Sequence, residues 1–149
     1  MAQRPGFDLN RLSMGTKVLL GAGLVLFIAL FLGWNCFGGF CLSGWSGMGV
    51  LAGLLVLALL VWEGLELAGV LATVNAPKAL IAAGLGAGAA LFALIRFFQA
   101  MQGLGVGAII GLIAALGLGY GAWLRFNESK TAPGGLPPTS APPPPPPAT

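Results

Sequence analysis

Four apolar stretches, joined by links too short to hold a domain of their own, constrain this chain more than anything else in it. The first runs from Val18 to Trp34, directly after Lys17; as a helix its 17 residues span about 26 Å, close to the roughly 30 Å hydrocarbon core of a bilayer. The second runs from about Ser46 to Leu71 and is interrupted late by Glu63 and Glu66. The third, Ala79 to about Phe98, carries Arg96 near its end, and the fourth runs from about Leu104 to Leu124. The pattern predicts an all-α, polytopic membrane protein with transmembrane helices at about 17–34, 46–71, 79–98 and 104–124. The links 35–45, 72–78 and 99–103 are short, which makes neighbouring helices antiparallel, up-down-up-down. Residues 1–16 form an N-terminal segment and 125–149 a C-terminal tail.

Composition supports lipid as the solvent. Only 7% of residues are charged, against about 25% in an average soluble domain, too few to clothe a water-facing surface. The lipid bilayer is therefore the first expected partner. Lysine and arginine placement sets the expected direction. Four crossings put Arg4, Arg11, Lys17, Lys78, Arg125 and Lys130 on one side and leave only Arg96, itself inside a helix, toward the other. The basic side is expected to be cytoplasmic, which makes the chain a multi-pass protein of the cell membrane with both termini in the cytoplasm. The first stretch has the basic flank and apolar core of a signal peptide. The following Gly33-Trp34-Asn35-Cys36-Phe37 offers no small-x-small cleavage site, so retention as a helix is expected.

The segment Phe7-Asp8-Leu9-Asn10-Arg11-Leu12-Ser13 mixes apolar and charged residues. It reads either as an interfacial segment meeting lipid phosphates or as a frayed end. The tail ends in six consecutive prolines before Ala148 and Thr149 and is expected to be disordered with polyproline II character. Such tails can dock aromatic grooves, but no basic residue past Lys130 sets a docking orientation.

Local features carry the candidate chemistry. Cys36-Phe-Gly-Gly-Phe-Cys41 lies in the link assigned to the exterior, where oxidation favours a disulfide, and Gly38-Gly39 supplies the turn freedom that closure needs. A stapled hairpin fixing helix ends and an aromatic knob gripped by a partner both fit. The CxxxxC spacing is not the CxxC of a redox motif. Trp34, Trp45, Trp62 and Trp123 are expected as anchors at the membrane interface.

Glu63 and Glu66 share a helical face. They stand as interfacial residues beside Trp62, as a polar contact within the bundle, or as part of a proton or cation path. Arg96 is expected near the opposite end, on the order of 15 Å away in depth, too far for a direct pair and free to snorkel outward. Glycines at four-residue spacing, namely Gly49/Gly53, Gly84/Gly88, Gly103/Gly107/Gly111 and Gly117/Gly121, predict flattened helix faces. Those faces would serve packing within one bundle, homo-oligomer formation, or docking on a larger membrane complex.

Much chemistry is excluded. Histidine is absent, which removes imidazole bases and His-based metal or haem sites, and two cysteines cannot build a four-thiolate site. No catalytic, cofactor-binding or metal-ligating set is expected, and no small-molecule substrate is identified. Gly84-Leu-Gly86-Ala-Gly88 lacks the Lys-Ser/Thr and the preceding strand of a phosphate loop. No basic patch supports nucleic-acid binding.

In layout the chain resembles claudin-type tetraspan proteins, with two exterior cysteines between tryptophans. It departs from them in its short link of about eleven residues and in placing the tryptophan of Ser43-Gly44-Trp45 after the cysteines. It is more similar to small bacterial four-helix membrane proteins of unassigned function. That similarity is carried by Phe31-Leu32-Gly33-Trp34, Ser43-Gly44-Trp45-Ser46-Gly47 and the proline-rich tail. It implies fold and topology only. The expected function is a non-enzymatic membrane protein that packs with itself or serves as an accessory subunit. The alternative is a small channel or transporter subunit using Glu63 and Glu66.

Overall fold

The computed structural model describes residue 10, residues 12–131 and residues 146–148. It is mostly helical. Four helices, α1 (Met14–Ala29), α2 (Met48–Leu67), α3 (Lys78–Gln99) and α4 (Val106–Thr131), are joined by a two-stranded hairpin and two short 3-10 turns, Val70–Thr73 and Met101–Gly103. Helices α2, α3 and α4 are long and apolar enough to cross a membrane. Helix α1, with 16 residues, reaches only about 24 Å. Helices α1 and α3 each pack against both α2 and α4. Gly15 at the start of α1 lies against Arg125 late in α4, and Gly49 at the start of α2 lies near Arg96 late in α3, so these neighbours run antiparallel.

Expectations change at several points. The link after α1 is a stapled hairpin, one of the two readings of its cysteines. It holds β1 (Gly33–Phe37) and β2 (Phe40–Ser43), which makes the described chain helical with one hairpin rather than all-α. Gly38 and Gly39 form the two-residue turn with φ of 55° and 91°, the left-handed pair that a tight hairpin requires. Cys36 faces Cys41 across the ladder and the two are disulfide-bonded. Closing so short a loop is worth about 2 kcal/mol by chain entropy.

The first helix stops at Ala29 instead of reaching Trp34. Two 3-10-type bonds, Phe31 N–H to Ile28 and Leu32 N–H to Ala29, tighten the last turn. Trp34 then folds inward and its indole N–H donates to the Ala29 carbonyl at 2.7 Å.

Another change is at the far end of the chain. Arg125 to Thr131 are not tail; they extend α4 by almost two turns. Helix α2 ends at Leu67, four residues earlier than expected. The proline-rich tail lies outside the described residues, apart from 146–148, which have no regular structure. The interfacial N-terminal segment lies mostly outside them too, although Ser13 is seen capping α1 by accepting from the Thr16 N–H at 3.2 Å.

The interior is built from alanine and a few large residues. Trp34, Leu19, Leu26, Leu30, Val56, Leu59 and Leu118 are fully buried among Ala52, Ala82, Ala89, Ala93, Ala108 and Ala115. Lipid tails are as apolar as leucine, so close van der Waals packing rather than water exclusion must hold such helices together. Small side chains allow it.

Candidate functional site

The two glutamates that interrupt the second apolar stretch meet a cation. Arg125, in the extension of α4, donates from Nη2 to Glu66 Oε2 at 2.9 Å and to Glu63 Oε1 at 3.4 Å. Its Nη1 donates to Glu128 Oε2 at 3.4 Å, one turn further along α4. Glu128 turns its other oxygen toward α1 and accepts from the Gly15 backbone N–H at 3.3 Å. A carboxylate at that helix N-terminus also complements the α1 dipole. The cluster thus ties α2 and α4 together and reaches the start of α1.

Burial is graded across it. Glu63 is 0% exposed and Arg125 7%, while the Glu66 and Glu128 side chains keep 29% and 33% of their surface. Glu63 and Arg125 therefore depend on each other, and Glu66 and Glu128 keep contact with the surroundings. The expectation that Glu63 and Glu66 sit in the interface, free of the bundle, does not describe Glu63. Arg96 is not their partner, as the depth argument anticipated. Nor does it snorkel free: it is 5% exposed, and its Nη2 donates to Ser46 Oγ at 2.7 Å.

Between these two ends the bundle is apolar. Thr16, Glu63, Arg96 and Arg125 are the buried polar or charged residues among those described. The buried cluster that joins the four helices, with Leu26, Val56, Ala89 and Ala115 among its members, is apolar.

The tryptophans separate into different roles. Trp34 is 0% exposed and is a core residue, not an anchor. Trp45 packs edge-on to Phe27 and tilted on Phe31, with ring centres 5.9 and 5.6 Å apart. Trp62 is half-buried. Trp123 is exposed and stacks on Tyr120.

The glycines also separate. A Cβ on Gly111 would enter the Trp34 ring, and one on Gly107 would meet Leu32, Trp34 and the Gly33 carbonyl. Gly103 lies against Asn35 and Cys36 in a 3-10 turn, outside α4. The Gly103/Gly107/Gly111 run therefore seats the hairpin and one indole rather than a second helix. Gly49 lies under the Gly44 carbonyl and Gly53 under the Trp45 ring. Gly88, Gly117 and Gly121 do face helices, through Leu55, Ala22 and Leu19. Gly84 faces nothing.

Gly84 opens instead onto a groove between α3 and α4. Its floor is Gly84, Ala83, Ala87, Gly119 and Ala122, and its walls are Leu80, Trp123 and Phe126, enclosing about 460 Å³. Gly119 at its floor was not singled out by spacing, because it falls between Gly117 and Gly121. Arg125 was missed because it follows the last apolar residue, Leu124, and reads there as flanking charge. The signal that could have found it is the Arg125-x-x-Glu128 pair, which matches Glu63-x-x-Glu66 in helical spacing. In comparison with known proteins, no family model, no curated protein and no solved structure matches this chain.

Proposed function

We propose that this chain is a multi-pass protein of the cell membrane that crosses four times, keeps both termini in the cytoplasm, and works without catalysis by packing against other membrane helices. The observation that carries the reading is the α3/α4 groove. A floor of glycine and alanine with aromatic and leucine walls is the surface against which a membrane helix packs closely, because small residues let backbones approach. Its occupant is a transmembrane helix, either from a second copy or from a larger complex that this chain serves as a subunit.

The alternative, passage of protons or cations past Glu63 and Glu66, has less support. Both carboxylates are engaged by Arg125, and the buried cluster between the helices is apolar.

Gly84→Leu tests the groove. An added Cβ at Gly84 meets nothing within 4 Å, so the variant should fold with unchanged thermal stability. It should shift the protein in mild detergent from an assembled species toward the monomer, by about tenfold in apparent dissociation constant. Unchanged assembly, or a wild type that is monomeric and recovers no partner, sinks the reading.

Orientation has its own test. The six-to-one lysine and arginine asymmetry supports cytoplasmic termini. A phosphatase and a fluorescent-protein reporter fused after Thr149 should read cytoplasmic, whereas an exported reading breaks the four-crossing topology.

A further inference from the structure

Helix α1 is too short for its corner of the bundle. Gly15, beside the Arg125 side chain, sets the start of α1 level with that cation of α4. From this level α4 rises about 29 Å to Val106, and α2 rises about 27 Å between Glu66 and Met48. From Lys17 to Ala29, α1 rises only about 18 Å. It therefore stops about 10 Å below its neighbours, against a hydrocarbon core of roughly 30 Å. The hairpin stands in that gap: Trp34 lies beside Gly107 and Gly111, in the first two turns of α4.

The hairpin has two unlike faces. Phe37 pairs with Phe40, Asn35 with Leu42 and Cys36 with Cys41. Side chains alternate along a strand, so Phe37, Phe40 and Leu42 share one face and the disulfide occupies the other. Cys36 Sγ turns to the start of α4, 3.3 Å from where a Gly105 Cβ would stand. The opposite face is bare: Phe40 is 83% exposed, and Phe37 and Leu42 are exposed too. No charged residue occurs between Lys17 and Glu63. The apolar exposure continues along α1 and its last turn through Phe31, Ile28 and Val25. An exposed, uncharged apolar face marks a lipid or a protein contact. Lipid is the occupant here, because acyl chains that reach the ends of α2 and α4 also flank the corner where α1 stops short.

The backbone sets how deep the hairpin sits. The outer edge of β1 is covered, since the Trp34 carbonyl accepts from the Gly105 N–H at 2.9 Å and Asn35 bridges to Leu104. The outer edge of β2 has no strand beside it among the described residues. Open strand edges do not lie in hydrocarbon, so β2 belongs at the headgroup level, where water satisfies its amides and carbonyls.

We propose that the stapled hairpin is a lipid-binding wedge, with β2 at the headgroup level of the leaflet at its end of the bundle and Phe37, Phe40 and Leu42 against the acyl chains of phospholipid. The inference rests on the four-crossing reading, in which this is the outer leaflet. With no charge on the hairpin, the contact is apolar and independent of headgroup charge.

Fluorine NMR of the full chain in phosphatidylcholine nanodiscs tests this. Phe40 is replaced by trifluoromethyl-phenylalanine in one sample and Phe31 in another; both side chains are exposed, so the label enters without disturbing the core. Phosphatidylcholine carrying a doxyl group near the top of its acyl chain, and a water-soluble gadolinium chelate, are added in turn. The Phe40 signal should be broadened by the doxyl lipid, as the Phe31 signal is, and largely spared by the chelate, in phosphatidylglycerol nanodiscs as in phosphatidylcholine. Broadening of Phe31 by the doxyl lipid with Phe40 broadened chiefly by the chelate puts the hairpin in water and overturns the proposal alone. A Phe40 signal that neither agent reaches means that protein, a second copy or a partner, covers the hairpin, and overturns it as well. A Phe31 signal spared by the doxyl lipid breaks the four-crossing reading and the proposal with it.

Discussion

Replacing Arg125 with methionine is expected to destabilise the protein by about 3–5 kcal/mol, the largest effect of any single substitution of a charged residue here. The reason is what the change leaves behind. Glu63 is fully buried, and its carboxylate is engaged by the Arg125 guanidinium. Without Arg125 it is an uncompensated charge inside a bundle. Glu66 and Glu128 lose the same partner but keep about a third of their surface, so they can turn outward at little cost. The accompanying Glu63→Leu change should restore most of the loss, because an apolar pair of similar volume commonly replaces a buried ion pair without penalty. Thermal unfolding of both single variants and the double in one mild detergent closes the cycle. An Arg125→Met variant within about 0.5 kcal/mol of wild type would show that the cluster holds nothing together.

Trp34→Ala should cost about 3–5 kcal/mol, the usual range for removing a large buried aromatic. The indole lies at the junction of the hairpin and α4: its ring faces Gly111, its N–H satisfies the Ala29 carbonyl at the end of α1, and its own carbonyl accepts from the Gly105 N–H at 2.9 Å. From the other side of the same contact, Gly111→Ala should cost about 1–3 kcal/mol, since the new methyl group has no space beside the ring. The two changes share one cavity and should not add. Gly111→Leu is expected to be far milder in the Trp34→Ala background than in the wild type. Gly64→Ala is the control: an added Cβ there meets nothing within 4 Å, and stability should hold or rise slightly. Unfolding midpoints for this set, read with the disulfide intact, decide it. A Gly111→Ala variant as stable as Gly64→Ala would place the Trp34 ring elsewhere.

Several parts of this fold were legible before any coordinates. The four helices start and stop within a few residues of the apolar stretches, except at the early end of α1 and the extended end of α4. Helix α1 ends five residues early because Trp34, read as the last residue of a helix and an interface anchor, turns inward to bond Ala29. The Cys36–Cys41 closure over Gly38-Gly39 was legible because both thiols and their turn lie within six consecutive residues. The stapled hairpin was one of the two readings of this link; its strand register was not legible, since nothing in 33–43 alternates cleanly enough to fix it.

The candidate site was half legible. Glu63 and Glu66 were marked because charge inside an apolar run is costly, and a polar contact within the bundle was one of three readings. The cation they meet is 59 to 62 residues further along the chain. Its identity depends on how α2 and α4 are rotated about their axes, and at 100° per residue a single step moves a side chain to another face. Glycine spacing had the same limit. An absent Cβ says that something comes close without saying what: an indole at Gly111, a carbonyl at Gly49, another helix at Gly121 and open space at Gly84 share one spelling in the sequence.

The division follows from the range of the forces. Apolar length, the scarcity of charge and the neighbouring thiols are local properties, and they were enough for the helices, their order and the stapled turn. The burial of Glu63 against Arg125, the inward turn of Trp34, the groove over Gly84 and the contact of Arg96 with Ser46 belong to the packed bundle alone. Each depends on which faces of distant helices meet, and packing at close contact is what selects those faces.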